Sequence, residues 1–591
     1  MMNCSTIRKY GFSLLIPLLL LIAPLFTYPL VWQKLAAANV PLWGDAIAMT
    51  FPALGFLAAA AVFCVPARLC RIWEFSRLRI LLIFAAAGIV SAWLQNILYG
   101  GPAEFAYSSG FFFLVPVAGI LYSQELKRIF PLFAALIFLP VLVITWRSEN
   151  FSGWAGNWNW NFSLLAVCAS SFFFLNPKWS IRKSALTGLA VICTGLAAVS
   201  FFHPELTPRG TFAGIIGASC CIFFFRNVKP NRRWAFAIWA AALTVVLFIG
   251  SVGTMFNRIL DSRFQLWRGS FDFVIAHFPL GVGPDRFESM ITPYLPEIYY
   301  FTPFAASRHP HPHNELLNAG ACYGFAGIVF FVLLLLLVLR GIRKKDRLGI
   351  WLGWCVLLLA VHGQFDVLLS IPQTGFWFLL GAGVLAGNGL SAGRDACGSH
   401  MRIPGYTAAI ICLLLAVSQI YFSWMGSRHL RLARLELLKK NPAGAKANLH
   451  TGLNYQLSAP ALYTAGAVEL FNFRDPDEAI RLLELIRSRL GLPGIYHSNA
   501  LLGRAYALKQ DYPRSIDSFD RELHYYPMSA VASGLKLMVL RQMKSDSKTI
   551  FDENQRFLRL MQLRELKPEE FPRLLRNQDL DDRPLKLQKE E

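Results

Sequence analysis

Charge is scarce in this chain. Only 16% of its 591 residues are Asp, Glu, Lys or Arg, against about 25% in an ordinary soluble domain. Apolar runs of roughly 15–22 residues recur instead, long enough for a bilayer core, and a conventional soluble fold is excluded for most of the length. Ordered cysteine patterns are missing too. The eleven cysteines are scattered, several within apolar runs (Cys64, Cys168, Cys193, Cys220, Cys221), with no CxxC pair and no Cys/His zinc spacing. Neither a disulfide framework nor a structural zinc is indicated. Acidic residues are outnumbered, 36 against 57 basic ones, for a net charge of +21. In a soluble protein that excess would suggest nucleic acid. Here much of it lies in short loops between apolar runs, so no nucleic-acid partner is expected.

What the chain has is a succession of about thirteen expected spans between Gly11 and Trp424. The first has too long an apolar stretch for a typical signal peptide. One set of loops carries Arg68, Arg71, Lys127, Arg128, Lys178, Arg182, Arg232, Arg233, Arg343, Lys344 and Lys345, whereas the alternate short loops hold only Lys34, Arg147 and Arg209. The positive-inside rule puts the first set, and the N-terminus, in the cytoplasm. The long 253–318 loop and everything after Ser427 then lie on the other side. The expected organisation is a transmembrane region over 1–252, a large outer loop over 253–318, a second transmembrane region over 319–427, helical repeats over 428–545 and a charged helical tail over 546–591.

The repeats are read from "LLGRAYALKQDYPRSIDSFDRELHYYP". It places Leu502, Gly503, Tyr506, Ser515, Phe519 and Pro527 at tetratricopeptide spacings. The small residue of the second helix recurs upstream at Ala479 and Ala445. Three or so helical hairpins would bury their apolar faces on one another. Such modules bind partners and seldom perform chemistry, so a protein partner is expected there and the chemistry elsewhere.

The chemistry-bearing residues gather on the outer side. In "HPELTPRGTFAG", Thr207 can cap a helix with Pro208 in its first turn. Arg209 then stands at a helix N-terminus, where a cation opposes the dipole unless an anion also docks. Snorkelling to the interface is the alternative. From Ser262 to Ala276 the pattern suits an amphipathic helix lying on the membrane. Arg263 and Trp267 share one of its faces, and Arg268 lies on another flank. The following "PLGVGPDRF" lacks the Lys and Ser/Thr of a P-loop.

"HPHPHNELLNAG" spends three histidines in five residues. A residue before proline is extended, which applies to His309 and His311, and alternate side chains can group both with His313. Asn314 can cap the next helix, with Glu315 in its first turn. Three readings fit: metal ligands, a solvated proline-rich loop, or a base and substrate-binding group for a hydroxyl. His362 and Asp366, in "VHGQFDVLLSIPQTGFWFLLGAG", either line the same site or form an interfacial polar pair.

The stretches "DSRFQLWRGSFDFVIAHFPLGVGPDRF", "HPHNELLNAGACYGFAGIVFF" and "VHGQFDVLLSIPQTGFWFLLGAG", in that order, resemble the O-antigen ligase/polymerase superfamily. That superfamily includes lipopolysaccharide O-antigen ligases, O-antigen polymerases and bacterial protein O-oligosaccharyltransferases. The likeness runs from about Thr207 to Leu385. It implies a GT-C-like, mainly α, polytopic membrane enzyme with a periplasmic helical-repeat domain, working without metal or other cofactor. The implied reaction moves a glycan from an undecaprenyl-diphosphate carrier to an acceptor hydroxyl on the periplasmic face of the inner membrane. The acceptor would be lipid A-core, another glycan or a protein. The resemblance carries catalytic roles to Arg209, Arg263 and His313. Arg268, His309, His311, Asn314, Glu315, His362 and Asp366 are expected to bind substrate.

Two readings from other classes compete. A glycolipid transporter should carry charge at mid-membrane, whereas these spans are nearly free of it. A scaffold acting through its repeats gives no reason for the Arg/His loop.

Overall fold

The computed structural model describes residues 15–22, 43–101, 106–147, 158–175, 180, 187–188, 190–196, 209–227, 255–284, 286–302, 311–342, 346–366, 372–388, 402–455 and 457–576. Among these the chain is helical, without a strand. The apolar part contains α1 (Trp43–Phe63), α2 (Pro66–Glu74), α3 (Ser76–Tyr99), α4 (Ser109–Leu121), α5 (Ser123–Arg147), α6 (Trp158–Leu175) and α7 (Arg209–Asn227). It continues with α8 (Met255–Ala276), α9 (Glu315–Gly341), α10 (Arg347–His362), α11 (Pro372–Ala386) and α12 (Arg402–Leu438).

Four of the described helices are long and apolar enough to cross a membrane: Ser76–Tyr99, Ser123–Trp146, Glu315–Gly341 and Pro404–Leu438. Pro52–Phe63, Ser109–Leu121, Trp160–Leu175, Gly210–Ile222, Arg347–His362 and Thr374–Ala386 are shorter apolar helices. The chain is a multi-pass membrane protein. Of the thirteen expected spans, Trp234–Val252 lies outside the described residues, and Gly11–Trp32 and Ala185–Phe202 are described only in part. Leu136 and Trp146 are 76% and 78% exposed on α5, a face that water would penalise and lipid accepts.

The middle of the bundle is α4. Its sequence, SGFFFLVPVAGIL, is apolar all round and nearly all of it is buried, as expected of a helix surrounded by others. It packs against α1, α3 and α11. A Cβ on Gly119 would run into the Leu380 carbonyl, and one on Gly383 into the Pro116 carbonyl. These two glycines let α4 and α11 approach backbone to backbone, the contact that holds helices together where lipid removes the hydrophobic drive.

Helix α9 is broken. Gly324 has φ 59 and ψ −142 inside it, and the backbone groups released at the break are taken up by the Pro279–Gly283 turn. Val282 N–H donates to Ala321 O (2.9 Å), Gly283 N–H to Cys322 O (3.0 Å) and Phe325 N–H to Pro279 O (2.8 Å). Irregular backbone at a membrane helix is tolerated when protein satisfies it in this way. The turn is strapped to α3 as well, where Ser91 Oγ donates to Leu280 O (3.0 Å). Two of the Gly/Pro turn's N–H groups, those of Val282 and Gly283, thus go to α9, while Gly281 N–H donates to His277 O (2.8 Å). Nearby Arg286 is buried and donates to Asn96 Oδ1 (3.0 Å) and the Gly100 carbonyl.

Beyond the bundle, α12 runs unbroken through position 427 to Leu438. Antiparallel helices follow: α13 (Pro442–Tyr455), α14 (Ala459–Val468), α15 (Pro476–Ser488), α16 (Ser498–Leu508), α17 (Tyr512–Tyr525), α18 (Ala530–Gln542) and α19 (Ser547–Leu563). Side-chain caps start five of them. Ser458, Asp475, Asp511, Ser529 and Asp546 each accept the N–H three residues on, satisfying a donor with no intrahelical partner. The repeat spacing has a direct packing cause. Gly503 leaves room for the Phe519 ring, and Ser515 Oγ donates to Gly503 O at 2.7 Å. Past Lys544 the charged sequence still folds into the array, because Phe557, Leu560 and Met561 fall on one face of α19 and bury against α18. Met528 and Leu563 pack on the cluster of Phe273, Phe287, Tyr299 and Tyr300 in the large loop, and Arg559 pairs with Glu297 at 3.1 Å. The repeats therefore brace the segment that follows α8.

Candidate functional site

The start of α9 is pinned to the turn after α10. Asn314 caps α9, its Oδ1 accepting from Leu317 N–H (3.0 Å), while its Nδ2 donates to Gln364 O (3.1 Å). Glu315 N–H donates to Gly363 O (2.8 Å). The Glu315 side chain is buried. Its Cγ lies so near Gly363 that a Cβ there would sit 2.8 Å away. Asn314 and Glu315 thus fix the backbone immediately after His313.

His313 has φ 51, in the left-handed region, which is uncommon for a residue with a Cβ and costs on the order of 1–3 kcal/mol. From there Nδ1 lies 3.2 Å from Asp366 Oδ1. A carboxylate only accepts, so Nδ1 carries a proton, and in the neutral form of the ring Nε2 is left as the proton acceptor. This is the His–carboxylate arrangement that orients a general base. His311 sets its ring edge-on to His313, centroids 4.8 Å apart. His309 lies outside the described residues.

Arg263 arrives from α8. Its Nη1 donates to the Phe365 carbonyl, one residue from Asp366. Trp267, one turn along, sets its ring 6.3 Å from that of Phe365. Arg268 on the other flank is exposed. Helix α8 begins at Met255, two turns before the expected Ser262, although its amphipathic part is where the sequence places it. Arg209 is the first residue of α7; Thr207 and Pro208 lie outside the described residues.

Burial alone would raise the Asp366 carboxyl. The hydrogen bond from His313, and then the charges that His313 and His362 carry at the low pH where this group titrates together with the charge of Arg263, outweigh it and hold the group well below the usual carboxylate range. A carboxylate whose folded-state value is lowered contributes stability that is complete above its unfolded value of about 3.9 and is lost as pH falls through the lower native value. Asp366→Asn is therefore expected to lower the thermal unfolding midpoint at pH 7. The gap to wild type should shrink as pH is taken below about 4. A gap that stays constant would mean that the charge is not what the fold uses. Any reaction that uses His313 Nε2 as a base is expected to slow on the order of 100-fold or more in the same variant, because Asn no longer fixes the tautomer of His313.

His362 and Asp366 are one helical turn apart, with His362 Nε2 3.9 Å from Asp366 Oδ2. On its other side His362 Nδ1 is 2.7 Å from Ser163 Oγ of α6, and Ser163 Oγ is 2.9 Å from Thr211 Oγ1 of α7. Ser163, Thr211, His362 and Asp366 are all buried. Sequence reading missed Ser163, Thr211 and the Phe365 carbonyl. A lone hydroxyl in an apolar run reads as packing, and a backbone oxygen has no signature.

Among the described residues one group has metal-like spacing, and it lies in the repeats: His450, Glu469 and Glu478. Cations already occupy it. Lys446 Nζ is 3.0 Å from Glu469, and Arg481 Nη2 is 2.6 Å from Glu478.

Comparison with known proteins gives three results. A family model described as O-antigen ligase matches residues 159–332, under a third of the chain but enough to hold Ser163, Arg209, Thr211, Arg263 and His313. No curated protein matches the chain. One solved structure, titled "Crystal structure of APC/C hetero-tetramer Cut9-Hcn1", aligns over 89% of this chain and 90% of its own at 13% identity with a TM-score of 0.22, too low to carry an argument.

Proposed function

We propose that this chain, O-antigen ligase-like over residues 159–332, transfers a glycan from an undecaprenyl-diphosphate carrier to an acceptor hydroxyl on the periplasmic face of the bacterial inner membrane. The observation that carries the reading is the pairing of His313 with the buried Asp366 carboxylate (3.2 Å) beside the Arg263 anchor at Phe365. The charge asymmetry of the loops supports the orientation.

In the proposed step the acceptor oxygen attacks the anomeric carbon, and its proton passes to His313 Nε2. The bond from the anomeric carbon to the phosphate oxygen breaks, and its electron pair leaves with the carrier diphosphate. Arg263 and Arg209 offset the charge on that leaving group through guanidinium hydrogen bonds. His311 and Arg268 flank the acceptor. The step uses no metal or nucleotide.

A ligase acting on lipid A-core is the first reading. A polymerase or a protein O-oligosaccharyltransferase differs only in the acceptor. An acceptor panel tests the proposal: lipid A-core, a second carrier-linked glycan and a Ser/Thr-bearing polypeptide are each offered to the purified protein with a labelled donor. Label should move to one of them, and that acceptor names the branch. If no label leaves the carrier for any of them, the proposal fails.

A further inference from the structure

We infer that Ser163 and His362 are positioning residues for the His313–Asp366 pair, acting through the second oxygen of the Asp366 carboxylate. This rests on the glycan-transfer reading above and adds two residues that touch no substrate.

The inference comes from a directional chain. His362 Nε2 lies 3.9 Å from Asp366 Oδ2, beyond hydrogen-bond reach, and the negative carboxylate favours the tautomer that turns Nε2–H toward it. In that tautomer Nδ1 accepts a hydrogen bond from the Ser163 hydroxyl at 2.7 Å. The Ser163 oxygen can in turn accept from Thr211 Oγ1–H at 2.9 Å. The carboxylate is gripped on Oδ1 by His313 from the α9 start and approached on Oδ2 by His362 from α10.

The chain also joins the site's parts. Thr211 lies in the first turn of α7, two residues after Arg209, and Ser163 lies on α6, which packs against both α7 and α10. A buried hydroxyl or imidazole is costly without partners, and packing alone would ask only that each find some partner. Here the partners lead in sequence to the carboxylate that orients the proposed base.

The test is a double-mutant cycle with His362 variants, read by steady-state transfer with a labelled undecaprenyl-diphosphate-linked glycan. Ser163→Ala is expected to lower kcat roughly ten- to a hundredfold through misorientation, with KM for the donor unchanged. In an Asp366→Asn background the same substitution should have almost no further effect, because residues acting through one group are not additive. His362→Gln keeps an amide donor near the Nε2 position and should retain more kcat than His362→Asn, which keeps only the Ser163 side. A purely structural role would instead lower the amount of folded protein, leave kcat per folded molecule intact and make the two His362 variants equal. That outcome overturns the inference. Full additivity of Ser163→Ala with Asp366→Asn overturns it as well. If wild type transfers nothing, the glycan-transfer reading falls and the inference falls with it. If wild type transfers normally and Ser163→Ala matches its kcat, the inference alone falls.

Discussion

His313→Ala is expected to lower glycan transfer by about 10²–10⁴-fold, the range for a general base, while the protein still inserts and folds. The effect should fall on kcat, because the ring takes its proton only as the acceptor oxygen attacks. Stability should fall modestly, because the buried Asp366 carboxylate loses the hydrogen bond that does most to hold it charged. The ring is about a third exposed, and its backbone stands at φ 51, so His313→Gly should relieve strain and be at least as stable as His313→Ala. A strained histidine held against a buried carboxylate is the pattern expected of a functional residue. If both variants transfer glycan at the wild-type rate, His313 is not the base.

Gly324→Ala should be the most damaging small substitution in the membrane part. Its φ of 59 and ψ of −142 suit glycine alone, and an added Cβ would collide with the Pro279 carbonyl and come within 2.5 Å of the Leu280 carbonyl carbon. The conformational cost is on the order of 1–3 kcal/mol, and forcing apart packed backbone adds about 1–3 kcal/mol more. Against a total stability of about 5–15 kcal/mol, a large fall in the unfolding midpoint follows. The collision also pushes the Pro279–Gly283 turn away from the Ala321 and Cys322 carbonyls that it satisfies, which would loosen the segment of α9 next to His313. Gly195→Ala is the matched control, since a Cβ there meets nothing within 4 Å. Equal midpoints for the two variants would contradict this description of the break.

These two residues mark where sequence reading succeeds and where it stops. Asn314 is legible as a cap because it stands just ahead of an apolar run, and the helix starts there. The repeats are legible because Gly503, Ser515 and Phe519 lie at spacings that a helical hairpin must use. Gly324 is not. A glycine inside an apolar run reads as part of a continuous span, here Ala319–Leu339, and only a turn some forty residues earlier in the chain reveals the break. His313 and Asp366 each attract notice, but they are 53 residues apart, and their contact depends on how α9 and α10 dock. Ser163 gives no sign at all, since serine is common in membrane helices as a packing residue. The tail after Lys544 is legible as helical, and Phe557, Leu560 and Met561 on one face of α19 bury it against α18.

The most direct measurement follows both halves of the reaction at once. Wild-type protein in detergent is supplied with an undecaprenyl-diphosphate-linked glycan and a hydroxyl acceptor in excess EDTA, and released carrier diphosphate and glycosylated acceptor are counted together. The expected result is equal amounts of the two, undiminished by EDTA and lost together in His313→Ala. Carrier diphosphate released without glycosylated acceptor, or product that disappears with EDTA, would contradict a metal-free transfer built on His313, Asp366 and Arg263.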